Sequence, residues 1–343
     1  MIRIGVIGCG YWGPNLIRNF STFKGSEVVI CSDLREDRLA HMRNLYPKLE
    51  TTTDYRRVLG HNNVDAVVVA TPPETHARLT IEALRAGKHV FVEKPLALSS
   101  AEGSAMVAEA EKAKRVLLTG HTFVYTAAVN KIKEVVDSGE LGEIFYVSTT
   151  RVNLGIFQEH VNVVWDLAPH DVSILNYILD RMPESVATQA SCCIRKNVED
   201  VAFINIRYPG NVLAHIHVSW LNPNKIRSTT VVGSKKMLVY DDISALEKIR
   251  IYDKGVTVTP HYDTFGEFNL SYRYGDILIP RLDDAEPLKV ACQHFVDCVE
   301  NGARARSSGA HGLEVVRVLE AAVASIREGG RVIDVEPVST GGA

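Results

Sequence analysis

Ile4-Gly5-Val6-Ile7-Gly8-Cys9-Gly10-Tyr11-Trp12-Gly13 joins an apolar, strand-like run to a glycine-rich turn, and the amphipathic stretch Asn15 to Phe20 follows it. A strand that feeds a glycine turn opening a helix is the dinucleotide-binding fingerprint in its proper context. Gly8 permits the tight turn, Gly10 lets backbone N–H groups approach a pyrophosphate, and Gly13 allows close packing of helix on strand. The helix turns its positive end toward the phosphates, with Tyr11 and Trp12 beside it.

Asp33 ends the next apolar run, Val28 to Ser32, about 20 residues beyond the last glycine, where an acid can hold both adenosine ribose hydroxyls. A carboxylate there repels a 2′-phosphate, so the expected cofactor is NAD; Arg35 is the nearby guanidinium that could accommodate the extra phosphate of NADP. The other reading of Asp33 is an N-cap for a helix over Glu36 to Leu45.

Further along, Val64 to Ala70, His89 to Val92 and Val116 to Thr119 are short apolar runs separated by helical stretches. This alternation predicts a doubly wound parallel sheet over residues 1–120, a Rossmann domain. Thr71-Pro72-Pro73 and Glu93-Lys94-Pro95 follow two of its strands at their carboxyl ends, where open α/β sheets bind ligands. Thr71, Pro72, His76, Glu93 and Lys94 are therefore placed around the cofactor.

From Gly120 the pattern changes. After a helix at Ala127 to Ser138, strand-like runs follow at Ile144 to Val152, Val186 to Ile194, Val201 to Tyr208, Val212 to Trp220 and Thr229 to Tyr240. They predict a second domain over 121–343, of α+β type with one mostly antiparallel sheet. Helical periodicity returns over Pro287 to Glu300 and Gly312 to Glu328, and Gly341 to Ala343 read as a frayed tail.

The 343 residues suffice for two domains, and 46% hydrophobic with 23% charged residues is ordinary globular composition. A net charge of −3 argues against nucleic acid or a polybasic membrane anchor as partner. With no membrane-spanning run and no leader pattern, a cytoplasmic location is expected. The six cysteines show no CxxC spacing, and neither a disulfide framework nor a metal site is expected. His215 and His217 share one strand face; without an acidic or thiol partner they read as a packed sheet face rather than half a metal site.

Two groups carry chemistry. Lys94, held before Pro95, could polarise a carbonyl or stabilise an alkoxide over the nicotinamide; a solvated lysine at a strand end is the alternative. Asp166 and His170 stand one helical turn apart, and a neutral imidazole suits removal of a hydroxyl proton at physiological pH. Asp166 could instead cap that helix, with Pro169 in its first turn.

The fingerprint at Gly8 to Gly13, Glu93-Lys94-Pro95 and Asp166-x-x-x-His170 together resemble the Gfo/Idh/MocA oxidoreductases, NAD(P)-dependent dehydrogenases of sugars and cyclitols, over nearly the whole chain. The resemblance implies that Lys94 and His170 are catalytic, that Asp166 binds substrate or assists, and that Glu93 contacts the nicotinamide-side ribose. It also implies a large open C-terminal sheet whose face makes dimers or tetramers. Gly120 to Phe123, Arg151 to Gly155 and Trp220 to Arg227 are similar to the branch that oxidises C3 of UDP-N-acetylglucosamine or its uronic acid. The stretch after Gly120, where many relatives carry arginine, holds His121 to Tyr125 instead, and His121 joins Arg151, Asn153, Lys94, Asp166 and His170 as an expected substrate contact. Arg151, Lys225, Arg227, Arg273 and Arg281 are the cations available for a diphosphate, with Arg151 and Asn153, just upstream of Asp166 and His170, the first expected contacts. The expected activity is thus NAD-dependent 3-dehydrogenation of a UDP-linked N-acetylated amino sugar. An inositol or free-sugar dehydrogenase is the near alternative, and a non-catalytic NAD-sensing regulator the distant one.

Overall fold

The computed structural model describes residues 1–155, 157–158, 161–258 and 270–337, and the chain divides into two compact units. The glycine-rich end expected as a frayed tail lies outside the described residues.

The first unit begins β1 (Ile2–Ile7), α1 (Trp12–Phe20), β2 (Ser26–Ser32), α2 (Glu36–Leu45), β3 (Glu50–Thr52), α3 (Tyr55–Leu59) and β4 (Ala66–Val69). It continues with α4 (His76–Arg85), β5 (His89–Val92), α5 (Ser100–Ala113) and β6 (Leu117–Thr119). The six strands are all parallel in the order β3-β2-β1-β4-β5-β6, the doubly wound arrangement expected for residues 1–120. Helices cover both faces of such a sheet, so its central strands read as unbroken apolar runs. Val67, Val68, Val69, Val90, Phe91 and Val92 are all fully buried. α1 starts inside the glycine stretch, three residues before the expected amphipathic segment, and buries Leu16, Ile17 and Phe20.

The second unit contains α6 (Ala127–Asp137), β7 (Ile144–Val152), α7 (Val163–Leu179), β8 (Ser185–Ser191), β9 (Val201–Tyr208), β10 (Val212–Ser219), β11 (Ile226–Gly233), β12 (Met237–Asp241), β13 (Ile249–Val258) and β14 (Leu270–Leu278). After α8 (Pro287–Asn301) and α9 (Gly309–Arg327), the short β15 (Ile333–Asp334) completes a nine-stranded sheet, ordered β14-β13-β12-β11-β7-β10-β9-β8-β15. All its pairings are antiparallel except that of β7 with β10. β9 alternates exposed Phe203, Asn205 and Arg207 with buried Ala202, Ile204 and Ile206, the signature of a sheet with one covered face. α7 lies on the covered face against β7, β9 and β10.

Two expectations are revised. The single strand over Thr229 to Tyr240 is a hairpin, turned at Ser234-Lys235, with Val232 opposite Met237. Gly233 sits against Leu141, where a Cβ would collide with the Leu141 carbonyl oxygen. The unit boundary also differs from 121–343, because Ala285–Glu320 belong to the first unit. Phe295 of α8 explains this: its ring packs edge-on against Phe91 at 5.8 Å and Phe20 at 6.1 Å. Burying one such ring stabilises by about 2 kcal/mol. α9 is divided, its residues from Ala321 counting with the second unit.

Candidate active site

In the first unit the glycine turn is built for a close-approaching ligand. Gly8 has φ +99°, and a Cβ there would lie 2.5 Å from the Ala70 carbonyl oxygen, so an L side chain is excluded on both counts. A Cβ on Gly13 would strike the Gly8 carbonyl oxygen, which keeps helix and strand in contact. At Gly10 a Cβ would meet only the Arg38 guanidinium, 3.6 Å away, so the backbone is open there. No side chain caps α1, and the exposed rings of Tyr11 and Trp12 stand edge to face at 5.2 Å beside its first turn. A pyrophosphate fits this cradle, with uncapped N–H groups at the positive helix end.

Asp33 closes the same turn. Its Oδ2 accepts from the Cys9 N–H at 2.7 Å and its Oδ1 from the Arg35 N–H at 2.9 Å. The N-cap position of α2 is Arg35, and no side chain caps that helix, so the capping alternative is not realised. Arg35 itself pairs outward with Asp37 at 2.6 Å. The guanidinium that faces Asp33 is Arg38, at 3.3 Å, one turn further along α2 and unassigned by the sequence.

The loops after β4 and β5 are tied together by His76. Its Nδ1 meets the Pro95 carbonyl oxygen at 2.8 Å and its Nε2 the Thr71 carbonyl oxygen at 2.9 Å. Burial holds this imidazole below its ordinary pKa, so the neutral ring donates to one carbonyl at a time according to tautomer. His76 is fully buried with both nitrogens engaged, which corrects its assignment as a cofactor contact: it braces Thr71-Pro72 against Lys94-Pro95. Thr71 also shares a hydroxyl bond with Thr75 at 2.7 Å.

Glu93 is 6% exposed, and its Oε1 finds no partner among the described residues. Burial pushes its carboxyl up to about 7, against the opposing charge of Lys94 and the Lys94 N–H, which donates to Oε2 at 3.2 Å. Gly120 is the floor beneath it, since a Cβ there would come within 3.1 Å of the same oxygen. His121 follows, 1% exposed, with neither ring nitrogen bonded to a described residue.

In the second unit, α7 carries the other set. Asn162 caps the helix through the Trp165 N–H at 3.1 Å, so Asp166 lies inside the first turn and is not the cap. Pro169 falls deeper in the helix than its expected first-turn position. Asp166 Oδ2 instead accepts from the Trp220 indole Nε1 at 2.9 Å, and His170 follows one turn later. Asn153 follows the last residue of β7, its N–H bonded to the Ser219 carbonyl at 3.2 Å. Gly155 lies between Asn153 and Trp220, where a Cβ would come within 3.2 Å of both.

Arg151 does not stand ready for an anion. It is 6% exposed, and its Nε and Nη2 donate to Asp171 at 2.7 and 3.2 Å, which corrects the expectation that it meets a diphosphate. Two further cations are also paired: Arg227 with Asp242 at 3.4 Å and Arg273 with Asp253 at 2.9 Å.

The structure thus brings Gly8, Gly10, Tyr11, Trp12, Gly13 and Asp33 into one cradle and ties the Thr71 and Lys94 loops together in the first unit. In the second it sets Asp166 on the Trp220 indole with Asn153 near the same ring, and His170 stands one turn after Asp166 on α7. Trp220 was missed as a site residue; its signal is a bulky, 1% exposed side chain whose N–H demands a partner. Among the described residues no cluster of three or more His, Cys, Asp or Glu could hold a metal ion, and no helix is long and apolar enough to cross a membrane.

Comparison with known proteins accords with this geometry. Residues 2–121 match the oxidoreductase family with NAD-binding Rossmann fold, and residues 129–239 the Gfo/Idh/MocA C-terminal domain. A myo-inositol 2-dehydrogenase of Thermotoga maritima is 28% identical over 95% of this chain and 97% of its own. A protein of Magnetospirillum magnetotacticum MS-1 with a known crystal structure is 30% identical, covering 93% of this chain and 99% of that one, with a TM-score of 0.79. The UDP-N-acetylglucosamine 3-dehydrogenase of Acidithiobacillus ferrooxidans shares the fold at 20% identity and a TM-score of 0.79, over 95% of this chain and 97% of that one. The chain is an NAD-dependent oxidoreductase of the Gfo/Idh/MocA family.

Proposed function

We propose that the chain oxidises a ring secondary alcohol of a cyclitol or sugar, with Lys94 and His170 acting on the same hydroxyl. Two observations support this: the first unit holds a glycine cradle closed by Asp33, and the second holds an Asp166 and His170 turn on which Trp220 fixes the carboxylate. The dinucleotide, when bound, supplies the hydride acceptor. His170 takes the hydroxyl proton, and the Lys94 ammonium stabilises charge developing on the oxygen. Asp166, fixed by the indole, holds a neighbouring substrate hydroxyl or the imidazole. Glu93 lies beside Lys94 and, on this reading, meets the nicotinamide-side ribose.

A neutral ring such as inositol is the favoured substrate, because Arg151, Arg227 and Arg273 are already paired with carboxylates. The Thermotoga relative supports the same class. The UDP-N-acetylglucosamine-type reading keeps support from the exposed Lys225 beside Asn222 to Asn224 and from the Acidithiobacillus fold likeness. NADH formation with free inositols and sugars set against UDP-sugars decides between them. Turnover of UDP-sugars alone would overturn the neutral-ring assignment, and turnover of neither class would overturn both.

The outward face of the nine-stranded sheet presents Phe203, Leu213, His215 and His217. Phe203 stacks on His217 at 4.5 Å, an apolar and aromatic face suited to a second copy of the chain. On this reading the protein is a homodimer or homotetramer, which sedimentation of the wild type against Leu213→Glu tests.

A further inference from the structure

The proton collected at the site must leave before the next turnover, and the first unit holds a graded series of groups beside Lys94. The Gly120 N–H donates to the Val92 carbonyl at 2.7 Å, so the chain after β6 runs abreast of Glu93 and Lys94. His121 comes next, 1% exposed, with both ring nitrogens unmatched among the described residues. Its ring meets that of His311 edge to face at 5.6 Å. His311 Nδ1 in turn stands 3.9 Å from the carboxylate of Glu314, whose side chain is 26% exposed.

This alignment has a structural cause. Gly312, next to His311, packs on Thr119, where a Cβ would fall on the Thr119 hydroxyl. The bare backbone brings the first turn of α9 onto β6, and His311 with it. Thr119 Oγ1 and Glu93 Oε1 are likewise buried and unmatched among the described residues. Buried polar groups without a protein partner call for ordered water, which needs two to four such partners. Burial pushes His311 down to about 4 and His121 well below its ordinary value, so both rings are neutral at physiological pH. A neutral imidazole accepts at one nitrogen while it donates from the other.

We infer that His121 and His311, continued by Glu314, form a proton path from Lys94 to solvent. The inference rests on the reading that Lys94 works at the substrate hydroxyl. In that step the O–H bond breaks and its proton goes to His170, while the electron pair of the C–H bond leaves as hydride. The Lys94 ammonium passes one proton to His121 and takes the proton of His170 in return. His121 releases its other ring proton through His311 to Glu314 and water. One proton leaves per hydride, and no further oxidant is required.

The test uses the full chain with 15N-labelled histidine, first without substrate. Exchange of the His121 ring N–H with water is measured by NMR in the wild type and in His311→Leu and Glu314→Gln. The path predicts exchange slowed about tenfold or more in His311→Leu and to a lesser degree in the surface variant Glu314→Gln, with Lys94→Met unaffected. In turnover, His311→Leu lowers kcat with KM kept, and added imidazole restores it. Exchange unchanged in both path variants overturns the inference, even if turnover falls. Loss of all ring-alcohol oxidation by the wild type overturns the site reading instead, while the exchange result still decides the path.

Discussion

The Trp220 indole Nε1 donates to Asp166 Oδ2 at 2.9 Å, so a buried residue at the end of β10 sets the carboxylate one helical turn before His170. Asp166 cannot swing freely toward solvent. A hydrogen bond to a charged group is worth about 1.5–3 kcal/mol, enough to hold one rotamer.

Trp220→Phe keeps the ring volume and removes the donor. Steady-state kinetics with the best substrate should show kcat reduced roughly tenfold, with NADH affinity retained. An unchanged kcat would mean that the indole bond does not position Asp166.

Glu93 gives the first unit a pH signature. Its folded pKa, about 7, lies above the ordinary 4.5 because of burial. The unfolded chain therefore binds fewer protons between these values, and stability falls as pH rises from 4.5 to 7, then levels off. The loss approaches about 3 kcal/mol at 1.36 kcal/mol per unit. Thermal unfolding of Glu93→Gln across that window should lack this slope, and parallel profiles would refute a buried, protonated Glu93.

Arg151 and Asp171 form a buried bidentate pair. Removing one partner strands the other charge, so Arg151→Met should cost about 3–5 kcal/mol, while Arg151→Met with Asp171→Leu recovers most of it. Chemical denaturation of the three proteins measures this. If Arg151→Met were as stable as wild type yet weaker for substrate, the arginine would be a ligand contact after all.

Cofactor choice centres on Asp33 and Arg38. Asp33→Ser removes the charge that repels a 2′-phosphate and frees the Arg38 guanidinium to meet it. Fluorescence titration should show the NADPH-to-NADH affinity ratio rising about tenfold or more, and Arg38→Ala added to it should cancel the gain. No change in ratio would remove Asp33 from the selection.

The elements readable in the sequence are those fixed by local chemistry. The Gly8 to Gly13 turn shows itself because only glycine survives φ +99° at Gly8 and the contact at Gly13. β5, β7 and β9 keep their expected limits, since their apolar runs are bounded by turn residues. What stayed hidden depends on pairing across the chain. Arg35 is the nearer to Asp33 in sequence, yet it pairs outward with Asp37, and the phase of α2 turns Arg38 toward Asp33 instead. Asp171 is 20 residues from Arg151, and nothing local marks it as the partner. The return of α8 to the first unit rests on Phe295 meeting Phe20 and Phe91, contacts of long sequence separation. β11 and β12 merged because Ser234 to Lys236 lack proline, and Gly233 alone does not announce the turn.

On the proposed reading, an amine from the first unit and an imidazole from the second serve one hydroxyl. A crystal structure with NAD and a ring alcohol measures this directly. Lys94 Nζ and His170 Nε2 are both expected within about 3 Å of the same substrate oxygen. Either group turned away from that oxygen, in a complex competent for turnover, would contradict it.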